Sequence, residues 1–191
     1  MENSKKVTVS KQDIEKNIQG KGDYVQMHYL STILQRQLDF DTRKFAMIKL
    51  IHLYESKCMF LEAAKLMKGA SEINTTFNGK MQDFIKAATL FIRAGDTYSA
   101  DVLFSEAAAL GNQEQKFKIK EIKKEAYKTQ AKVYIGKDKR SHAMQICEKI
   151  LTLDLREDER KEIEKTLLEL YGRLGKISEY QTLKRKLESN L

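Results

Sequence analysis

The chain has 191 residues, 41% of them hydrophobic and 32% charged, a formal net charge of +8, no proline and nine glycines. This composition excludes a disordered low-complexity segment and allows one good core or a short stack of repeats. With no proline and few glycines, long helices meet little opposition and a sandwich with many tight turns is disfavoured.

In chain order, residues 1 to 9 read as a flexible N-terminus without the apolar stretch of a signal peptide. Ser10 with Asp13 opens a first short helix that stops near Gly20 and Gly22. Asp23 then caps a second helix running to about Gln37, and the two form an N-terminal pair over 10–40. In that pair Tyr24, Met27, Tyr29 and Leu30 are expected at the surface, where another copy of the chain would seat a helix. Asp41 caps a helix over 42–57. Later breaks fall near Cys58, at Asn74 to Thr76, at Gly95 and Asp96, at Gly111 and Asn112, near Gly136 to Asp138, at Asp154 and at Gly175. Apolar residues recur at three- and four-residue steps, as in Phe84, Ala87, Ala88 and Phe91, and no segment alternates in twos. About ten helices and no sheet are expected, with short turns making successive helices antiparallel.

One pattern repeats. Phe91 is followed by Gly95, Ala100, Phe104 and Ala107, and the same offsets from Tyr54 reach Cys58, Ala63, Met67 and Ala70. From Tyr134 they reach Asp138, Ala143, Cys147 and Ile150, and from Tyr171 they reach Gly175, Tyr180, Lys184 and Leu187. The anchors lie 37, 43 and 37 residues apart, the signature of stacked helix pairs over about 41–73, 76–110, 112–153 and 156–190 within 41–191. In each pair the aromatic ends the first helix, the next position reverses the chain, and the small residue lets the second helix come close. Ala88 and Ala131 fit the same packing role. The eroded fourth copy suits a terminal repeat facing water.

These residues resemble the tetratricopeptide repeat family, or a related longer-helix solenoid. The resemblance covers about 41–191 and implies an all-α, right-handed superhelix of antiparallel helix pairs whose first helices line a groove for a peptide or helical segment. It places Lys49 and His52, then Lys86 and Thr89, then Lys128 and Lys132, then Lys165 and Arg173 on that groove. Their basic bias suits a protein segment rich in carboxylates. The implied function is a non-enzymatic scaffold or adaptor.

Charge is uneven. Residues 115 to 140 hold ten basic and three acidic side chains, including Lys116, Lys118, Lys120, Lys123, Lys124, Lys139 and Arg140. Such a block would attract an acidic protein or, as the alternative, RNA or another polyanion. The lysines spread around the helix, only Arg140 brings a guanidinium, and Phe117, Tyr127 and Tyr134 read as packing anchors, so the nucleic-acid signal is weak.

Nothing points to an enzyme, a cofactor or a metal. His28, His52 and His142 have no partner at ligand or nucleophile spacing, and LREDERKEIEK, residues 155–165, reads as a salt-bridged helix start. Cys58 and Cys147 read as small buried hydrophobes. With no apolar run of transmembrane length, the expected location is the cytoplasm.

Overall fold

A computed structural model describes residues 9 to 189. Within them the chain forms ten α-helices and no strand: α1 (Lys11–Ile18), α2 (Asp23–Leu34), α3 (Phe40–Ser56), α4 (Phe60–Glu72), α5 (Phe77–Ala94), α6 (Thr97–Leu110), α7 (Gln113–Gly136), α8 (Arg140–Leu151), α9 (Glu157–Leu174) and α10 (Ile177–Ser189). They fall into two compact units, divided inside α7 between Ile119 and Lys120. In the first unit α2 packs on α3, α3 on α4, α4 on α5 and α5 on α6, with α1 resting on α2 and α3. In the second, α9 packs on α8 and on α10.

The helix starts follow from side-chain caps, which satisfy N–H groups that have no partner within the helix. Ser10 and Asp13 exchange hydrogen bonds in a capping box, Thr76 accepts from the Gly79 N–H, and Asp96 accepts from the Ser99 N–H. Two caps differ from the sequence expectation. The α3 cap is Asp39, which accepts from the Thr42 N–H at 2.9 Å, two residues before the expected Asp41. Gly22 precedes α2 and Asp23 is its first helical residue, and α2 ends at Leu34 rather than near Gln37.

The turns within helix pairs share one conformation. Gly20, Cys58, Gly95, Asp138 and Gly175 have φ of +72°, +58°, +89°, +52° and +68°, and these are the positive-φ residues of the described chain. The turns between pairs have none. At the last four, the carbonyl of the preceding aromatic accepts a hydrogen bond from the residue five positions on: Tyr54 from Met59, Phe91 from Asp96, Tyr134 from Lys139 and Tyr171 from Lys176, each at 2.9 Å. A left-handed residue just beyond a helix is the usual way to satisfy terminal carbonyls while reversing the chain. Cys58 is therefore an exposed turn residue, where the sequence suggested a buried one, while Cys147 is buried.

The small residues lie inside. Ala63, Ala88, Ala100, Ala107, Ala131 and Ala143 are buried, as are Phe91, Phe104, Tyr134 and Tyr171, while Tyr54 is half-buried. A residue no larger than alanine at a helix contact lets two axes approach closely, and interiors packed to crystal density leave no room for more. The N-terminal pair also differs from expectation. Met27 and Leu30 join Ile14, Ile18, Ile33, Ala46 and Leu50 in one cluster, with Tyr29 and Val9 packed against it, so that only Tyr24 of the expected surface patch is largely exposed. Of the N-terminal segment 1–9, residues 1–8 lie outside the described residues.

The turn geometry makes two opposite predictions. A Cβ at Gly175 meets nothing within 4 Å, so Gly175→Ala tests the backbone alone. It should destabilise by about 1 kcal/mol, the cost of a left-handed L-residue. Cys58→Gly should stabilise by less than about 1 kcal/mol, because glycine relieves the same strain but loses more chain entropy on folding. Urea denaturation of the three proteins gives both signs, and a shift in the same direction for the two variants would contradict the shared geometry.

Candidate interaction surface

In the first unit, His52 and Glu55 lie three residues apart on α3, so they share a helix face, and Lys86 and Arg93 lie seven apart on α5. All four meet. The Glu55 carboxylate is 3.5 Å from Lys86 Nζ, 3.2 Å from Arg93 Nη1 and 3.9 Å from His52 Nδ1. The Arg93 guanidinium lies 4.0 Å from the centroid of the Phe60 ring at the start of α4, a contact that fixes the plane of its donors. A second basic residue repeats the arrangement: Lys57, at the end of α3, sits 5.6 Å over Tyr24 and 2.7 Å from Asp23 at the start of α2.

The remaining first-unit groove residues have partners of their own. Lys49 lies 3.4 Å from Glu15 and 5.2 Å over Phe45. Thr89 donates its hydroxyl to the Ile85 carbonyl of its own helix. The structure thus gathers His52 and Lys86 at one point, adds Glu55 and Arg93, and leaves Lys49 and Thr89 apart from that cluster. Glu55 and Arg93 are absent from the sequence-derived set. Glu55 directly follows the anchor Tyr54 and Arg93 lies two residues after the anchor Phe91, the only linear signal that they share an edge.

The second unit uses its lysines differently. Glu159, three residues after the N-cap position Arg156, accepts from the Arg156 backbone N–H at 3.0 Å, a bond fixed by the first turn of α9. Its side chain is 7% exposed and is held between two ammonium groups of α7, Lys128 at 2.6 Å and Lys124 at 3.1 Å. Lys124 also lies 2.9 Å from Glu121, and its own side chain is 7% exposed. The Lys128 hydrogen bond, then the Arg156 N–H, hold the Glu159 carboxyl down at about 2. The hydrogen bond that Lys124 donates to Glu121 leads the upward shift of Lys124. These four-residue-spaced lysines form a charged joint between α7 and α9, so neither is a free cation awaiting a partner.

The rest of the expected basic surface is mixed. Lys118 pairs with Glu114 at 2.6 Å, and Arg140 pairs with Asp138 at 2.8 Å. Lys116 and Lys123 are half-exposed, and Lys120 and Lys139 are exposed. Among the groove residues of this unit, Lys132, Lys165 and Arg173 are exposed, and Lys165 borders a cavity of about 240 Å³ between α9 and α10. Of the three histidines, His28, His52 and His142 are all exposed. Among the described residues no group of three or more His, Cys, Asp or Glu side chains is placed to hold a metal ion. No helix there is long and apolar enough to cross a membrane. No family model matches the chain, and the curated proteins contain no match to it.

The charged joint sets an acid limit on stability. Glu159 has a folded value near 2, below its ordinary 4.5, so its contribution is present above 4.5 and is lost as pH falls through 2. Glu159→Gln should cost roughly 3 kcal/mol at pH 7, the lower end of what removing one partner of a buried ion pair costs. The gap between wild type and variant in urea titrations should narrow between pH 4.5 and 2, and a gap independent of pH would contradict the joint. The thiols make a separate test. Burial pushes the Cys147 thiol up to about 11, whereas Cys58 is exposed, so alkylation of the folded protein should label Cys58 and spare Cys147 until denaturant is added.

Proposed function

We propose that the chain is a non-enzymatic interaction scaffold of the tetratricopeptide-like kind. In this reading its antiparallel helix pairs form a right-handed superhelix whose first helices receive an acidic peptide or helical segment of another protein. The observation that carries this is the cluster on α3 and α5, where Lys86, Arg93 and His52 surround the single carboxylate of Glu55. Two permanent cations against one acid leave a positive surplus. The stacked guanidinium also has donors that Glu55 does not use, and a partner carboxylate satisfies both needs through charge-assisted hydrogen bonds. The recurrent left-handed turn at Cys58, Gly95, Asp138 and Gly175 supports the repeat reading, because one local geometry closes each of those helix pairs.

The polyanion alternative draws on residues 115 to 140, and two of that run's lysines, Lys124 and Lys128, are engaged with Glu159. The protein-segment reading is therefore the better supported. A labelled oligoglutamate peptide, followed by fluorescence anisotropy on the full chain, tests it. The double variant Lys86→Glu, Arg93→Glu should bind about tenfold or more weakly, equivalent to ~1.4 kcal/mol or more. Unchanged affinity would remove this surface from the reading. Tighter capture of a single-stranded RNA of equal charge, indifferent to the double variant, would favour the polyanion alternative instead.

A further inference from the structure

The cavity between α9 and α10 is lined by Glu157, Arg160, Lys161, Glu164, Lys165, Lys186 and Leu187. Four of these side chains are cationic and two are carboxylates. The carboxylates are not equivalent. Glu164 has a side chain only 4% exposed, a position that costs heavily unless the charge is met, and Lys186 of α10 meets it at 2.7 Å. Glu157 lies 3.9 Å from Lys161, a long contact between exposed groups that contributes little.

The surplus charge therefore belongs to Arg160 and Lys165. Among the described residues neither makes an ion pair. The Arg160 guanidinium touches only the Leu151 carbonyl, at 3.4 Å, leaving most of its five donors unspent. Lys186 keeps two ammonium hydrogens beyond the one given to Glu164, and its side chain is 54% exposed. Two unpaired cations and one ammonium with two donors left thus border the same space, beside the apolar wall of Leu187.

We propose that this cavity binds a phosphomonoester dianion. Four cations against two carboxylates leave two positive charges, and a phosphomonoester near neutral pH brings close to two negative ones. A single carboxylate or chloride brings one and leaves the cavity unbalanced. The guanidinium of Arg160 supplies a planar pair of donors suited to phosphate oxygens, and Lys165 and Lys186 supply point charges. The volume of about 240 Å³ exceeds what the phosphate needs, so the carbon next to the ester oxygen lies against Leu187 and the lysine stems. Glu164 acts through Lys186 and is a positioning residue. This site lies on α9 and α10 and is independent of the Glu55 cluster.

Calorimetry on the full chain at fixed ionic strength tests it with three probes: a phosphoserine peptide, its unphosphorylated twin and inorganic phosphate. The phosphopeptide should bind at least tenfold more tightly than its twin. Arg160→Gln with Lys165→Gln should abolish that difference. Lys165→Gln alone should reduce it at least threefold, which keeps the test valid if the double variant loses helicity. Lys65→Gln, which removes an exposed lysine outside the cavity lining, should leave it unchanged. Binding of inorganic phosphate as well assigns the site to the phosphate group itself, and binding of the phosphopeptide alone assigns it to a modified protein segment; either result supports the proposal. Equal binding of the twin, or full affinity in Lys165→Gln, would overturn it.

Discussion

The structure depends on a backbone reversal that L-residues resist. Each helix pair turns back through one residue with positive φ, and at four of the five turns the carbonyl of the preceding aromatic accepts the same five-residue hydrogen bond. Glycine serves at 20, 95 and 175, where it enters this region freely. Cysteine and aspartate serve at 58 and 138 with more strain, aspartate being the better tolerated. Once the chain has turned, the second helix lies against the first where the contact residue is small, as at Ala63 and Ala100. Turn and alanine act together: the turn sets the direction of the returning helix, and the alanine sets its distance.

Charge in this protein has two uses that look identical in one dimension. Lys124 and Lys128 lie in the most basic stretch of the chain, yet both are occupied with Glu159. That arrangement contributes less to net stability than its short distances suggest, since removing three charges from water offsets much of their attraction. Its effect is to select one alignment of α7 against α9, because any other would leave buried charges without partners. By contrast, Lys165 and Arg160 make no ion pair among the described residues, and Lys86 and Arg93 share one carboxylate.

Much of the helix layout was legible. The chain breaks its apolar rhythm with glycine, asparagine or aspartate at nearly every helix end, and the aromatic-to-small spacing marks the positions that become positive-φ turns and buried contacts. Finer details were not. Asp41 reads as the cap of α3, but it is Asp39 that accepts from the Thr42 N–H and takes that place. Cys58 reads as a buried hydrophobe from its type, but its place at the reversal exposes it. Met27 and Leu30 read as surface residues of a less well capped N-terminal pair, whereas α1 and α3 supply a core for them. The charged sites were the least legible. Glu55 meets Arg93, and Glu159 meets Lys124 and Lys128, across more than thirty residues of sequence, and which faces meet depends on the rotation of each helix.

The order of packing also bears on how the protein is made. From α2 to α6 each helix rests on the one before it, and α1 adds contacts to α2 and α3. A growing chain therefore has a docking surface ready when each new helix leaves the ribosome, and few apolar faces must wait for distant segments. Biosynthesis can proceed as successive addition, with each finished hairpin serving as the template for the next.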